Sequence, residues 1–136
     1  MKPLYYFAIS GGILLLDQLT KLLIVENIAR YGGFIGFGRI IKIRLVMNPG
    51  GAFGLFPNKG PLFIFFSLII IVFVVLSFFF LEFNSGVYMG LAFGLGGALG
   101  NFLDRIFRGA VVDFIQINGF PVFNLADTAI VVGSGI

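Results

Sequence analysis

The chain has 136 residues and six acidic ones, and three of these, Asp104, Asp113 and Asp127, fall in the stretch 96 to 127. Carboxylates in a greasy chain are expensive, so the cluster asks for chemistry. Asp113 follows Val111 and Val112 and precedes Phe114, with no cation as an immediate neighbour. Desolvation there favours the protonated form. Asp127 has a different setting. It lies three residues after Asn124, a good N-cap, at the N3 position of a capping box. The dipole at a helix N-terminus favours an ionised carboxyl. Two carboxyls held in opposite protonation states are what shared-proton aspartyl chemistry needs. One activates a water, the other polarises a carbonyl, and they exchange roles as the amine leaves. The plainer reading of Asp127 is the cap alone.

The remaining polar residues are few. Asp17 and Lys21 are four apart and stack on one side of a helix, where they can pair and make each other tolerable in an apolar segment, or act directly on a substrate. Asp104 and Arg105 can equally be a helix-end cap and an interfacial anchor, with Asn101 about one turn earlier. The Arg105 guanidinium can grip a peptide carbonyl or a phosphate ester through several donors, whereas Arg108 reads as an interfacial anchor. Histidine, cysteine and tryptophan are absent. That excludes imidazole bases, Ser-His triads, thiolate nucleophiles and His-rich metal sites. Neither a metal nor a cofactor is expected. The net charge of +3 is scattered, with no basic run to bind nucleic acid.

The elements that must position these residues are membrane elements. The chain is 59% hydrophobic, 11% charged and carries 19 Phe. A soluble domain of this size exposes too much surface to hide that load. Four apolar segments are predicted as helices, near 3–25, 61–81, 87–104 and 124–136, with no second domain. Residues 61 to 81 are uncharged and long enough to cross a bilayer, with Pro61 suited to a first helical turn. Residues 87 to 103 are Gly-rich, so neighbours can approach closely and this helix is expected at the centre of the bundle. The last segment is too short to cross fully. The first resembles a cleavable leader at Lys2, but Asp17 and Lys21 follow and no small-residue cleavage site is seen, so it is read as a retained helix.

The linker, 26–60, contains "IIKIRLVMN". Its alternation sets Ile41, Ile43, Leu45 and Met47 on one side and Lys42, Arg44, Val46 and Asn48 on the other, the period of a half-buried strand. "NPGGAFG" then reads as a turn followed by a Gly-rich strand or loop. A small sheet built from 36 to 56 is expected at the membrane surface, and residues 104 to 123 read as a loop. The fold class is therefore membrane, mainly α: a four-transmembrane-helix bundle with a small extracytoplasmic β-sheet. An even number of helices puts Asp104, Asp113, Asp127 and the end of the first helix on one face.

Five ordered stretches, "DQLTK" (17–21), "NPGGAFG" (48–54), "GGALGNFLDR" (96–105), "VVDF" (111–114) and "FNLAD" (123–127), together resemble the motifs of the lipoprotein signal peptidases, the bacterial signal peptidase II family. The resemblance spans Asp17 to Asp127. It implies a metal-free aspartyl endopeptidase of the bacterial inner membrane, with its site at the periplasmic or outer face. Such an enzyme cuts prolipoproteins just before the diacylglyceryl-modified cysteine, works among membrane lipids, and is inhibited by globomycin. By motif position, Asp113 and Asp127 would be the catalytic pair, supported by Asn124. Asn48, Asn101 and Arg105 would hold substrate backbone and lipid, and Asp17, Lys21 and Asp104 would be supporting polar residues.

Charge alone points the other way round. Arg30, Arg39, Lys42, Arg44, Lys59, Arg105 and Arg108 share the face that the resemblance puts outside, against Lys2 opposite, and the positive-inside rule would invert the chain. The motifs are weighted above that statistical rule. Two other functions compete: a small four-helix proton-coupled transporter built around Asp17, and a non-catalytic scaffold in which every Asp is a cap or an ion-pair partner. A strand-bearing linker and paired carboxylates at one face suit neither.

Overall fold

A computed structural model describes residues 2–31, 35–37, 40–50 and 60–136. Its elements in order are α1 (Lys2–Tyr31), β1 (Ile35–Phe37), β2 (Ile41–Asn48), α2 (Gly60–Phe80), α3 (Ser85–Arg108), β3 (Val111–Ile117) and α4 (Leu125–Ser134). The four expected helices are present. The first runs on to Tyr31 instead of stopping at Val25, because no Gly or Pro interrupts "ENIARY". α3 begins at Ser85 because the Asn84 side chain accepts the Val87 N–H at 3.0 Å, an N-cap. It ends at Gly109, whose φ of 74° is the left-handed C-terminal conformation open to glycine.

α1, α2 and α3 have stretches long and apolar enough to cross a membrane, at Leu4–Ile28, Gly60–Phe80 and Ser85–Arg108, whereas α4 is shorter at ten residues. Their outward faces carry exposed Leu, Ile and Phe, such as Leu15, Phe73 and Ile70, the surface that lipid covers. This is a multi-pass membrane protein. α3 sits at the centre, as its glycines foretold. A Cβ on Gly96 would meet Ser10 O and Ile13 Cβ of α1, each at 2.8 Å, and one on Gly97 would strike the Ala126 carbonyl of α4. Each glycine marks a place where a neighbouring helix comes too close for a side chain. At the end away from the sheet, Tyr6, Phe78 and Tyr88 stack in an aromatic cluster that ties α1 and α2 to α3, with the Tyr6 and Tyr88 centroids 5.2 Å apart.

The sheet differs from expectation in two ways. It has three antiparallel strands in the order β1-β2-β3, and the third comes from the stretch read as a loop. "VVDFIQI" is a run of seven with four β-branched residues, bounded by Gly109 and Asn118-Gly119. Its first four residues are buried, so it lacks the alternation that marks a half-buried strand. The second difference is register. Ile43 pairs with Ile115 and Val46 with Asp113, so two residues of β2, Arg44 and Leu45, oppose the single Phe114. This bulge shifts the side-chain parity. Val46 and Asn48 therefore share a face with Ile41 and Ile43, and that face carries Asp113, contrary to the simple alternation. The part of the expected sheet at 51–56, the rest of "NPGGAFG", and Arg39 and Lys59 lie outside the described residues.

Candidate active site

The ladder that pairs β2 with β3 brings Asn48 beside Asp113, and the Asn48 Nδ2 donates to Asp113 Oδ2 at 3.1 Å. The Asn48 Oδ1 accepts the Gly50 N–H at 3.1 Å, which fixes which end of the amide faces the carboxyl. The other oxygen of Asp113 accepts from Asn124 Nδ2 at 2.7 Å. Asn124 is itself held by the start of α4. Its Oδ1 accepts the Asp127 N–H at 2.9 Å, and the Asp127 carboxyl accepts the Asn124 N–H at 3.3 Å. This is the capping box read from the sequence, and it leaves Asp127 Oδ1 to accept from Asn101 Nδ2 of α3 at 2.7 Å. Asn101 Oδ1 accepts in turn from Asn124 Nδ2 at 3.1 Å. The carboxyls of Asp113 and Asp127 are thus tied into one network through two asparagines, and both face the same cleft.

Behind them lies a second group of charges. Lys21 is fully buried, and its Nζ is 2.8 Å from Asp17 Oδ2, 2.8 Å from Asp104 Oδ2 and 3.1 Å from Asn101 Oδ1. Three donors meet three acceptors. Asp17 Oδ1 accepts the Ala126 N–H at 2.9 Å, so a carboxylate from α1 caps the first turn of α4. Asp104 Oδ2 also accepts the Val112 N–H at 3.1 Å, which fastens β3 to α3 next to Asp113. Its Oδ1 pairs with Arg108. Two carboxylates and two cations balance, which is what makes such a group tolerable in a buried place.

These contacts revise three expectations. Asp17 and Lys21 do pair, but the pair is completed by Asp104. Asp104 is no helix-end cap, being fully buried between Lys21, Arg108 and the β3 backbone. Arg108 is no free interfacial anchor, since it closes the charge balance of Asp104 and donates to Gln18 Oε1 at 3.0 Å. Gln18 was missed from the sequence. Its Nε2 lies 3.2 Å from each of Asp17 Oδ2, Gly100 O and Asp104 Oδ1. Its place beside Asp17 in "DQLTK" was the only available signal. Thr128 was missed as well; it lines the cleft beside Asp127, and its hydroxyl donates to Asn124 O at 3.0 Å.

The cleft has a volume of about 660 Å³. Its polar wall is Asn48, Asn101, Arg105, Asp113 and Asp127, and the rest is mainly apolar, including Ile117, Phe120, Val122, Val131 and Val132. The Arg105 guanidinium donates to Asn101 O at 3.2 Å and lies over the Phe63 ring, 5.7 Å from its centroid. Burial pushes the Asp113 carboxyl up to about 6; the charge of Asp127 adds to this, while the amides of Asn48 and Asn124 and the Lys21 ammonium oppose it. An acid that keeps its proton into mild pH, next to a second carboxyl in a cleft, is equipped for proton transfer.

Residues 9–136 match the family model described as signal peptidase (SPase) II. The chain belongs to the signal peptidase II family. Among its relatives, the lipoprotein signal peptidase of Pelotomaculum thermopropionicum is 40% identical over 96% of this chain and 87% of its own length. That of Brevibacillus brevis is 36% identical, over 98% of this chain and 91% of its own. A bacterial membrane enzyme solved by the in meso method at 2.3 Å resolution superposes with a TM-score of 0.86 at 30% identity, covering 96% of this chain and 82% of that one. Membership in signal peptidase II makes the chain a protease, and the likeness extends over nearly all of the described fold.

Proposed function

We propose that this signal peptidase II is an aspartic endopeptidase whose catalytic pair is Asp113 and Asp127. It removes the signal peptide from prolipoproteins, cutting before the cysteine that carries the diacylglyceryl group. The observation that carries the reading is the joining of the two carboxyls through Asn124 and Asn101 at one cleft. Asp113, held up at about 6, keeps a proton and donates a hydrogen bond to the scissile carbonyl. Asp127 takes a proton from a water, whose oxygen bonds to the carbonyl carbon. The tetrahedral intermediate collapses as the C–N bond breaks, and the amine leaves with a proton from the pair. Asn48, Asn101 and Asn124 position the carboxyls, and Arg105 grips the substrate backbone or its lipid ester. Asp17, Lys21 and Asp104 support the site from behind.

The apolar walls suit acyl chains and an apolar signal segment delivered from lipid. On this reading the site works at the outer face of the bacterial inner membrane, and globomycin inhibits the enzyme. A transporter reading is disfavoured because Asp17 is consumed by Lys21 and the α4 N-terminus. The test is cleavage of a lipidated prolipoprotein in detergent micelles. Asp113→Asn and Asp127→Asn should each abolish cleavage while leaving the fold, because an amide keeps the shape and cannot pass the proton. The double variant should lose little beyond either single one, since the groups act as a unit. Substantial cleavage by either single variant rejects the pair.

A further inference from the structure

The segment leading into α4 runs alongside β3. Phe123 and Ile115 exchange both of their backbone hydrogen bonds, at 3.0 and 2.8 Å, forming an isolated antiparallel bridge. In an extended strand the N–H and C=O of one residue point to one side, and those of its neighbours to the other. The backbone groups of Val122 therefore point away from β3. Asn124 is extended, with φ −133° and ψ −177°, and its N–H donates to Asp127 Oδ2. Val122 and Asn124, two residues apart, share a side, so the Val122 N–H and C=O face the side of the Asp127 carboxyl. Among the described residues neither group has a hydrogen-bond partner. Val122 also lines the cleft, together with Asp113 and Asp127. Pro121 precedes it; on the β3 side it has no N–H to extend the ladder, so the bridge at Phe123 stays isolated.

We propose that the Val122 N–H and C=O are a docking edge for the substrate, which binds as an added extended strand beside Asp127. The inference rests on the peptidase reading above and names how the peptide backbone is held. Val122 is only half-buried, so a ligand can reach its N–H and C=O, and pairing with them displaces only water. An extended peptide offers a matching N–H and C=O at every second residue, so its main chain supplies the affinity and its alternate side chains reach the walls. A helical signal segment has its backbone groups satisfied internally, so the residues around the scissile bond must unwind to pair here. Unwinding also exposes the scissile carbonyl to the carboxyl pair.

Two experiments test this with the full-length protein in micelles and a lipidated peptide substrate. In the first, Val122→Pro removes the N–H with a fixed φ that still permits an extended backbone, and Val122→Ala measures the share of the side chain. Val122→Pro should raise KM roughly tenfold, the loss of one well-made hydrogen bond, and well beyond Val122→Ala, which keeps the N–H and trims only the apolar wall. In the second, backbone amides flanking the scissile bond are replaced one at a time by esters in the substrate of the wild-type enzyme. One position should weaken binding by a similar factor while its immediate neighbours do not. Wild-type KM in Val122→Pro together with a flat ester scan overturns the docking edge. If Val122→Pro does not fold, the ester scan decides alone. Failure of the wild type to cleave the unmodified substrate, or cleavage by Asp127→Asn, instead rejects the peptidase pair itself.

Discussion

The Lys21 ammonium lies 3.1 Å from Asn101 Oδ1, and that contact decides which way the Asn101 amide points. An ammonium only donates, so the asparagine must turn its oxygen to Lys21 and its NH₂ to Asp127, 2.7 Å away. Lys21 thus acts on the site without touching the cleft. Its own charge is matched by Asp17 and Asp104, and all three are fully buried.

Replacing Lys21 by Met should therefore do two kinds of damage. It leaves two carboxylates facing each other in a buried place, which should destabilise the fold by about 3–5 kcal/mol. It also frees Asn101 to rotate. Thermal unfolding in micelles should show the loss of stability, and any folded fraction should have a reduced kcat. The double variant Lys21→Met with Asp17→Asn should recover part of the stability without recovering kcat. Full recovery of kcat would show that Lys21 serves stability alone.

Arg105 and Arg108 are three residues apart on α3 yet should fail differently. Arg105 lines the cleft, so Arg105→Ala should lower kcat/KM by about tenfold or more and leave stability nearly unchanged. Arg108 pairs with buried Asp104 and with Gln18. Its removal should destabilise by about 1–3 kcal/mol, with KM little changed in the folded protein. Matched kinetics and thermal denaturation of the two variants separate these outcomes. Equal effects on KM would deny Arg105 a place in substrate binding.

The glycines of α3 predict their own contrast. Gly97→Ala drives a methyl into the Ala126 carbonyl and to 2.9 Å from Ile130 Cγ1, so α4 must move. Asp127 follows Ala126 directly, and the change should cost about 1–3 kcal/mol along with most of the activity. Gly94→Ala meets nothing within 4 Å and should be neutral or stabilise slightly through helix propensity. Comparable losses in both variants would show that α3 flexibility, rather than close approach, explains the glycines.

What the sequence makes legible is local. Hydropathy finds the four helices, the Gly-rich run puts α3 at the centre, and Asn124 with Asp127 forms the capping box that a three-residue spacing implies. What it hides is set by distant partners. Gln18 meets Asp104 across 86 residues, and nothing near either residue announces the other. β3 is buried along its first four residues, so the alternation that betrays a strand is missing. The parity of Asn48 turns on a bulge opposite Phe114, and only the pairing with β3 reveals that. The aspartates could be found from their residue types. Their holders depend on register and helix packing.

The last prediction concerns pH. Burial and the neighbouring Asp127 raise the Asp113 carboxyl from 3.8 to about 6, so the folded protein holds this proton more tightly than the unfolded chain. The contribution of this group to stability is then fully present below pH 3.8 and is lost as pH rises through about 6. Under the proposed mechanism, activity should follow the same proton. With the protonated carboxyl polarising the substrate, kcat/KM should fall on an alkaline limb near 6, a value that belongs to the coupled pair as measured in the free enzyme. A bound peptide excludes more water from Asp113, so the limb in kcat should lie higher. The Asn48 amide stabilises the ionised form and holds the value down. Asn48→Ala should therefore move the limb of kcat/KM upward while Asp113→Asn leaves no limb to measure. Rate profiles of wild type and Asn48→Ala, taken side by side in one micelle system, test the sign. A limb that moves downward, or does not move, would place the titrating proton on a group that Asn48 does not touch.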